Sequence, residues 1–444
     1  MGIQYNSISS NEVIQEAVKP INITILKNGV WIYFFLLIFE GALRKWVLPG
    51  LSEPLLLIRD PLALWLMFKA FNANVWKPNL FVKAMWWVSI LSLSLALLTG
   101  HGNLTVGIFG FRITAVQFPL IFVIGAIFNK KDVIKVGEVM LWLNIGMTIL
   151  VAAQFFSPQY AFINRGIGGD IEGSGFSGAA GFFRVPGTFS FTNGLAFFYG
   201  LTAAYLFYFW IAPKTIKGFK ILLVFSTLAL LIAIPLSISR TVLFEIAVSM
   251  VFMIAIFRKK PKIIGRVAIT ISAGLILFLG IKSFSFFETA THAFSERFTS
   301  ANKTEGGLDG VFIDRFLGGM YGALTQERLP FWGMGMGMGT NVGAKILVGD
   351  FKKFLVAEEE WGRIVGELGV LLGVILILIR VSLVIHFLRK AWSSISTGNL
   401  LPWMMLSFGM FMILQGQWAQ PTTLGFSVFA GGLIIASHRE KNER

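Results

Sequence analysis

The sequence predicts an all-α fold, a polytopic membrane helix bundle of about twelve transmembrane helices with one large extracytoplasmic loop. Three observations predict it. Of 444 residues, 55% are hydrophobic and only 14% charged, whereas a soluble domain carries about 25% charged residues. Mean hydropathy is +0.73, with 44 Phe and 13 Trp in the chain. Apolar runs also recur along its whole length, so residues 1–444 read as a single membrane domain.

A run long enough to cross a bilayer needs roughly 17 to 25 residues. Such runs lie near 29–49, 53–71, 80–99, 105–128, 133–156 and 188–211 in the first half. The second half adds 219–236, 241–257, 263–282, 363–387, 400–418 and 421–437. The first 28 residues mix polar and apolar types, so the first long run reads as an anchor, with no cleavable signal visible.

Charge patterning orients the runs. If every run spans, NKKD from Asn129, KTIKGFK from Lys214, RKKPK from Arg258, the pair Arg389 and Lys390, and the tail from His438 all fall on one side. The positive-inside rule makes that side the cytoplasm and puts both termini there. The net charge of +15 is thereby explained largely by topology, and nucleic acid is not expected as a partner.

The outer side receives the stretch 157–187, rich in Gly and Ser and therefore expected to be irregular, the approach to Arg240, and the segment 283–362. That last segment is too long for a connector and mixes aromatic residues with Glu288, Glu296, Arg297, Asp309, Asp314, Arg315, Glu327, Arg328 and Glu358 to Glu360. Short helices on the outer mouth of the bundle are expected, with GMGMGMG from Gly333 marking a flexible turn.

Several ionisable groups fall within or beside apolar runs: Glu40, Arg44, Lys45, Arg59, Asp60, Arg112, Arg240, Glu245 and Arg380. Each needs a partner, a wet cavity or a rim position, since a charge at the bilayer centre costs about 2.5 to 3.5 kcal/mol on insertion scales. Glu40 and Arg44, four apart, are expected to pair; Arg59 and Asp60 read as a rim pair, and Arg380 as a snorkelling side chain. Arg240 follows Ser237 and Ser239 at the outer start of a helix, where a planar guanidinium can grip phosphate. Arg184 closes the glycine-rich loop on the same side, and Arg315 lies in the long outer segment. Together they would make an anion site.

The run Glu358 to Glu360 opens the helix that returns to the membrane, where acidic residues suit the dipole. Glu359 is four before Arg363 and is expected to pair with it, which leaves Glu358 and Glu360 as candidate general bases. The chain has no cysteine, and His101, His292, His386 and His438 lack metal-ligand spacing. No metal or cofactor is expected, and no Walker loop or GxSxG elbow occurs.

Four stretches resemble the O-antigen ligase and O-antigen polymerase superfamily of bacterial membrane glycosyltransferases. FFRVPGTFSFTNGLAFF from Phe182 looks like its arginine, glycine, asparagine pattern before a helix, and LSISRTVLFEIAVSM from Leu236 like its serine and arginine helix start. DRFLGGMYGALTQERLPFWGMGMG from Asp314 is similar to its large outer loop, and AEEEWGRIVGELGVLLGVILIL from Ala357 to the segment where that loop re-enters the membrane, with Glu367 and Gly369 in the expected places. EGALRKWVLPGLSEPLLLIRDPL from Glu40 looks like a stretch of exopolysaccharide polymerases in this superfamily. Where the ligases carry a histidine before the re-entering helix, this chain has glutamate, nearest at Glu358, which favours a polymerase.

The resemblance implies a metal-independent glycosyltransferase that polymerises polyprenyl-diphosphate-linked repeat units into an exopolysaccharide or O-antigen on the outer face. Arg184, Arg240 and Arg315 would bind the diphosphate, and Glu358 or Glu360 would act on the acceptor hydroxyl. Its partners would be the lipid-linked glycan, the bilayer and other polysaccharide export proteins. A ligase of the same fold would join a finished glycan to a lipid or protein. A transporter of polysaccharide or lipid-linked sugar is the alternative of another class; it usually shows hydropathy repeats, and the two halves here differ.

Overall fold

The computed structural model describes residues 23–212, 217–304, 321, 330–350 and 355–440. Its elements in chain order are α1 (Ile23–Ala42), α2 (Ser52–Leu55), α3 (Arg59–Asn72), α4 (Leu80–Leu98), α5 (Leu104–Arg112), α6 (Phe118–Ile127) and α7 (Lys130–Phe156). There follow β1 (Phe176–Ala179), β2 (Phe182–Arg184), α8 (Thr192–Ile211), α9 (Lys217–Leu236), α10 (Arg240–Ala255), α11 (Ile264–Ile281) and α12 (Ser285–Thr304). The last four are α13 (Asn341–Val348), α14 (Glu360–Thr397), α15 (Leu401–Gln415) and α16 (Pro421–Ala436).

Among the described residues, nine helices are long and apolar enough to cross a membrane, counting α5 and α6 as one continuous stretch, and the protein is an all-α membrane bundle with little strand. Two further apolar helices, α15 and α16, are shorter, and α3 has 14 residues. Local chemistry sets the boundaries. Asn79, Asn103 and Asn129 each accept from backbone N–H groups of the turn that follows, and Asn129 with Asp132 forms a capping box. Gly398 ends α14 in the left-handed conformation.

The core is apolar all round its central helices. α8 and α16 are buried along nearly their whole length; α16 packs on α6 and α15, and α8 on α10 and α15. Small residues permit the closest approaches: a side chain on Gly431 or Gly432 of α16 would meet Ile121 or Ile124 of α6. α11 lies at the periphery, with Ile269, Leu275 and Ile276 exposed as lipid-facing residues should be.

Two departures from the sequence reading shape the end of the bundle that carries the long loops. The glycine-rich stretch is not wholly irregular: β1 and β2 form an antiparallel hairpin, closed by Ala180 (φ 52°) and Gly181 (φ 77°), the paired positive φ of a type I′ turn. The helix beginning at Glu360 does not run straight into the membrane. At Gly369 (φ 78°, ψ 174°) it reverses, so 360–368 and 370–397 are two limbs of a hairpin. Glu360 and Arg380 are twenty residues apart and would be about 30 Å apart in a straight helix, yet their side chains meet at 2.6 Å. The span read over 363–387 therefore starts beyond Gly369.

The glycine and methionine alternation is a packed backbone and not a flexible turn. Gly333, Gly335 and Gly337 all have positive φ, and side chains there would run into Glu367 and Gly369, His101 and the Val106 carbonyl respectively. Met334 N donates to Gly366 O at 2.8 Å and Gly335 N to Glu367 O at 3.0 Å, which seats this loop on the short limb of α14. His101 accepts from Asn103 N through Nδ1, leaving Nε2, 3.0 Å from Met336 O, as the donor.

Candidate functional site

The two ends of the bundle differ in chemistry. One end gathers Lys27 with Asp132 (2.7 Å), Lys259 bonded to Trp392 O (3.0 Å), Arg266 bonded to Ile211 O (3.0 Å) and Arg439 bonded to Gly125 O (3.0 Å). These cations are partly exposed and mostly satisfy carbonyls at helix C-termini. The opposite end, where the long loops lie, buries many of its charges.

Arg184 and Arg240 both belong to that loop end. Arg184 closes β2 and donates to Thr192 Oγ1, in the first turn of α8, at 3.4 Å. Arg240 is the first residue of α10, which packs beside α8. A side chain on Gly200 of α8 would touch Glu245 of α10, so those positions share a level. α8 and α10 both begin after a loop-end connection and run the same way. Arg240, five residues before Glu245, lies about 7.5 Å nearer the mouth, level with the first turns of α8. The hairpin lies over both: Gly178 of β1 packs against Ile238. Arg315 lies outside the described residues.

The glutamates are sorted by burial. Glu358 is exposed at the lip, its carbonyl accepting from Gln417 Nε2 at 2.6 Å. Glu359 occupies the N-cap position of the short limb with extended backbone, and its side chain makes no capping hydrogen bond. Glu360, expected to be available as a base, is instead 2% exposed and held by Arg363 Nε (2.9 Å), Arg363 Nη2 (3.0 Å) and Arg380 Nη1 (2.6 Å). Arg363 pairs with Glu360 and Glu367, and not with Glu359. Glu367 in turn accepts from Gly339 N at 2.7 Å. Arg380 does not snorkel: it is fully buried, donates to Ile413 O and Gly416 O, and stacks 3.8 Å over Trp418.

Residues from the first half complete the loop end; the expected pair of Glu40 and Arg44 is present, whereas that of Arg59 and Asp60 is not. Glu40 bonds Arg59 at 2.9 Å and lies 3.7 Å from Arg44. Asp60 does not pair with Arg59; it bonds Arg112 and, at 2.5 Å, Gln117 Nε2, while Gln117 accepts from Tyr33 at 3.0 Å. Arg59 also donates to Pro421 O at 2.7 Å, so it and Arg380 grip the α15–α16 connection from two sides. Arg44 donates to Ser190 Oγ at 3.0 Å and Lys45 to Gly187 O at 2.7 Å. Ser190 is two residues before the Thr192 that receives Arg184, so this cluster and Arg184 share one wall. Arg59, Asp60, Arg112 and Gln117 line a narrow crevice with room for about one water molecule.

At the rim, Lys345 of α13 bonds Glu53 of α2 at 2.5 Å, a contact that holds the Glu53 carboxyl below the usual carboxylate range. Among the described residues no group of three or more His, Asp or Glu side chains is arranged to hold a metal ion. Arg44, Lys45, Arg59 and Arg112 were legible as charges within apolar runs; that they assemble at the same end as Arg184 was not. No protein-family model matches the chain, and no curated protein matches it.

Proposed function

We propose that the chain is a membrane glycosyltransferase that polymerises polyprenyl-diphosphate-linked repeat units at the loop end of the bundle. In this reading the chain crosses the inner membrane twelve times with both termini in the cytoplasm, because the other end carries the exposed Lys and Arg of short connections. The supporting observation is that Arg184 and Arg240 stand at the mouths of neighbouring helices that run the same way, with Arg44 bonded to Ser190, two residues before the Thr192 that Arg184 contacts. A guanidinium forms paired charge-assisted hydrogen bonds with phosphate oxygens. Charge neutralisation there stabilises the diphosphate as it leaves the anomeric carbon.

Arg315 completes the expected arginine set as part of the proposal. Glu358 is retained as the group that orients or deprotonates the acceptor hydroxyl, since its side chain is exposed where the outer segment enters the membrane. Glu360 is withdrawn from that role, because two arginines already hold it and neither oxygen is left facing water. It acts instead as a strut.

Arg184→Ala and Arg240→Ala should each lower polymer synthesis about 10²- to 10³-fold, as removal of an electrostatic stabiliser does, while protein abundance in the membrane is unchanged. Gel analysis of the glycan should then show single repeat units accumulating. Polymer of normal length in both variants refutes the assignment; normal polymer left unattached to its acceptor would mark a ligase instead.

A further inference from the structure

At the end of the bundle that gathers Lys27, Lys259 and Arg439, the long limb of α14 carries a second group of cations. Lys27 is matched by Asp132 and Lys130 by Glu440, whereas Arg389 and Lys390 have no carboxylate partner among the described residues. Leu371, Ile375, Leu378, Ile385 and Arg389 recur at steps of three, four or seven and so share one helix face. The four apolar side chains are 37% to 55% exposed, as residues against acyl chains should be, and Arg389 ends their row. His386 and Lys390, one turn apart, flank that face on the side of α4, along which α14 packs. The His386 ring is 6.2 Å from that of Phe81, in the first turn of α4. His438, beyond α16, joins them: after burial, Lys390 and His386 are what lower its proton affinity, and its Nε2 has no hydrogen-bond partner. α4 begins here, with Asn79 as its cap, so its positive dipole end adds to the same field.

Positive groups that converge without a counter-charge favour an anion, and the apolar row beside them selects which anion. A free phosphate gains nothing from Leu378 and Ile385. A phospholipid sets its phosphate against Arg389 and Lys390 while its acyl chains lie along the row. The lengths agree: from Leu378 to Arg389 the helix rises roughly 16 Å, about half of the ~30 Å hydrocarbon core and so the depth of one leaflet. A zwitterionic headgroup would bring its own ammonium to the same cations, whereas a net-anionic one brings only phosphate. No enclosed cavity is needed, because a lipid lies against the outer surface of a helix. We infer that the face shared by the start of α4 and the long limb of α14 binds the headgroup phosphate of an anionic phospholipid, with Arg389 and Lys390 as its main partners. The site rests on the membrane bundle alone and does not depend on the transferase reading.

The test is native mass spectrometry of the purified full-length protein, released from micelles that contain phosphatidylglycerol or phosphatidylcholine at matched concentration. Phosphatidylglycerol is expected to bind at least about tenfold more tightly, a difference of about 1.4 kcal/mol, and to raise the Tm in the same micelles. Changing Arg389→Gln and Lys390→Gln together should remove most of that preference, and Lys390→Gln alone should leave an intermediate one. Arg258→Gln with Lys262→Gln takes the same charge from exposed positions at the same end, outside the site, and should leave the preference intact. Arg389 and Lys390 are exposed too, so all these variants should unfold at the temperature of the unaltered chain in lipid-free detergent. Inorganic phosphate should fail to displace the lipid; displacement would mark a site for free phosphate and overturn the lipid assignment. Equal binding of the two lipids overturns the inference outright. Equal losses in the two double variants also overturn it, since net charge alone would then account for the preference.

Discussion

At one end of the bundle Lys259, Arg266 and Arg439 donate to backbone carbonyls and stay partly in water; at the other, Arg59, Arg363 and Arg380 are buried against Glu40, Glu360 and Glu367. The same residue type does different work at the two ends. Exposed cations need no carboxylate because water and helix C-termini satisfy them, and their placement records topology. Buried cations must be matched, since several kcal/mol of desolvation per ion is repaid only by close geometry. The loop end is thus a rigid ionic frame, and a frame of this kind can hold Arg184 and Arg240 in fixed positions.

The sharpest way to break the frame is to open the hairpin on which it is built. Gly369 combines φ 78° with ψ 174°, a region that is nearly glycine-only, and a side chain there would strike the Phe331 carbonyl. Gly369→Ala should cost about 3 kcal/mol or more, read as lost abundance and a lowered Tm in detergent. Gly274→Ala in α11, where a Cβ meets nothing within 4 Å, is the matched control and should cost nothing or gain up to about 1 kcal/mol. Equal behaviour of the two would show that the reversal at Gly369 is not required.

Next in size is the buried pair. Glu360→Ala or Arg380→Met alone leaves an uncompensated charge and should cost about 3 to 5 kcal/mol, whereas the double change should cost less than the sum of the two. Additive losses would mean that the 2.6 Å contact carries no coupling. At the opposite end, Lys259→Met removes one bond to Trp392 O and a cation held 4.9 Å from the Trp392 ring centre. About 1 kcal/mol is expected there. A loss as large as that for Arg380 would erase the distinction between the ends.

Composition and run length were enough to read a helical membrane bundle, because each apolar run reports its own burial locally. A helix coincides with every one of the predicted runs, though α3, α15 and α16 are shorter than the runs suggested. What could not be read was which charges meet. Glu359 and Glu360 differ by one position, yet one caps the helix with extended backbone and the other begins it. On a helix both would neighbour Arg363, one four and the other three residues before it; Glu359 has extended backbone instead, and Glu360 is the one that pairs with Arg363. Arg380 reads as a snorkelling residue only if its helix is straight; the reversal at Gly369 is what brings Glu360 to it. Asp60 prefers Arg112 and Gln117, more than fifty residues away, to its neighbour Arg59, because Arg59 turns to Glu40 and Pro421. The crevice was invisible for the same reason, since its walls come from three separate stretches.

Another expected effect belongs to the basic end and concerns acid. His438, just beyond α16, is pushed down to about 4 by burial first and then by Lys390 and His386. Its unfolded value is about 6.5, so between about pH 6.5 and 4 the unfolded chain binds the proton more readily than the folded one. The histidine's contribution is therefore fully present above pH 6.5 and is lost as pH falls toward 4. The Tm should drop modestly from pH 7 to pH 5 in the unaltered chain, and less in His438→Gln, which stays uncharged. The charge-paired loop end supplies the contrast: Lys345 holds the Glu53 carboxyl low, so the rim contact between α2 and α13 survives this pH range. Limited proteolysis at pH 5 should then find the carboxy-terminal end loosened before the rim, and cleavage at the rim first would reverse the assignment of acid sensitivity to His438.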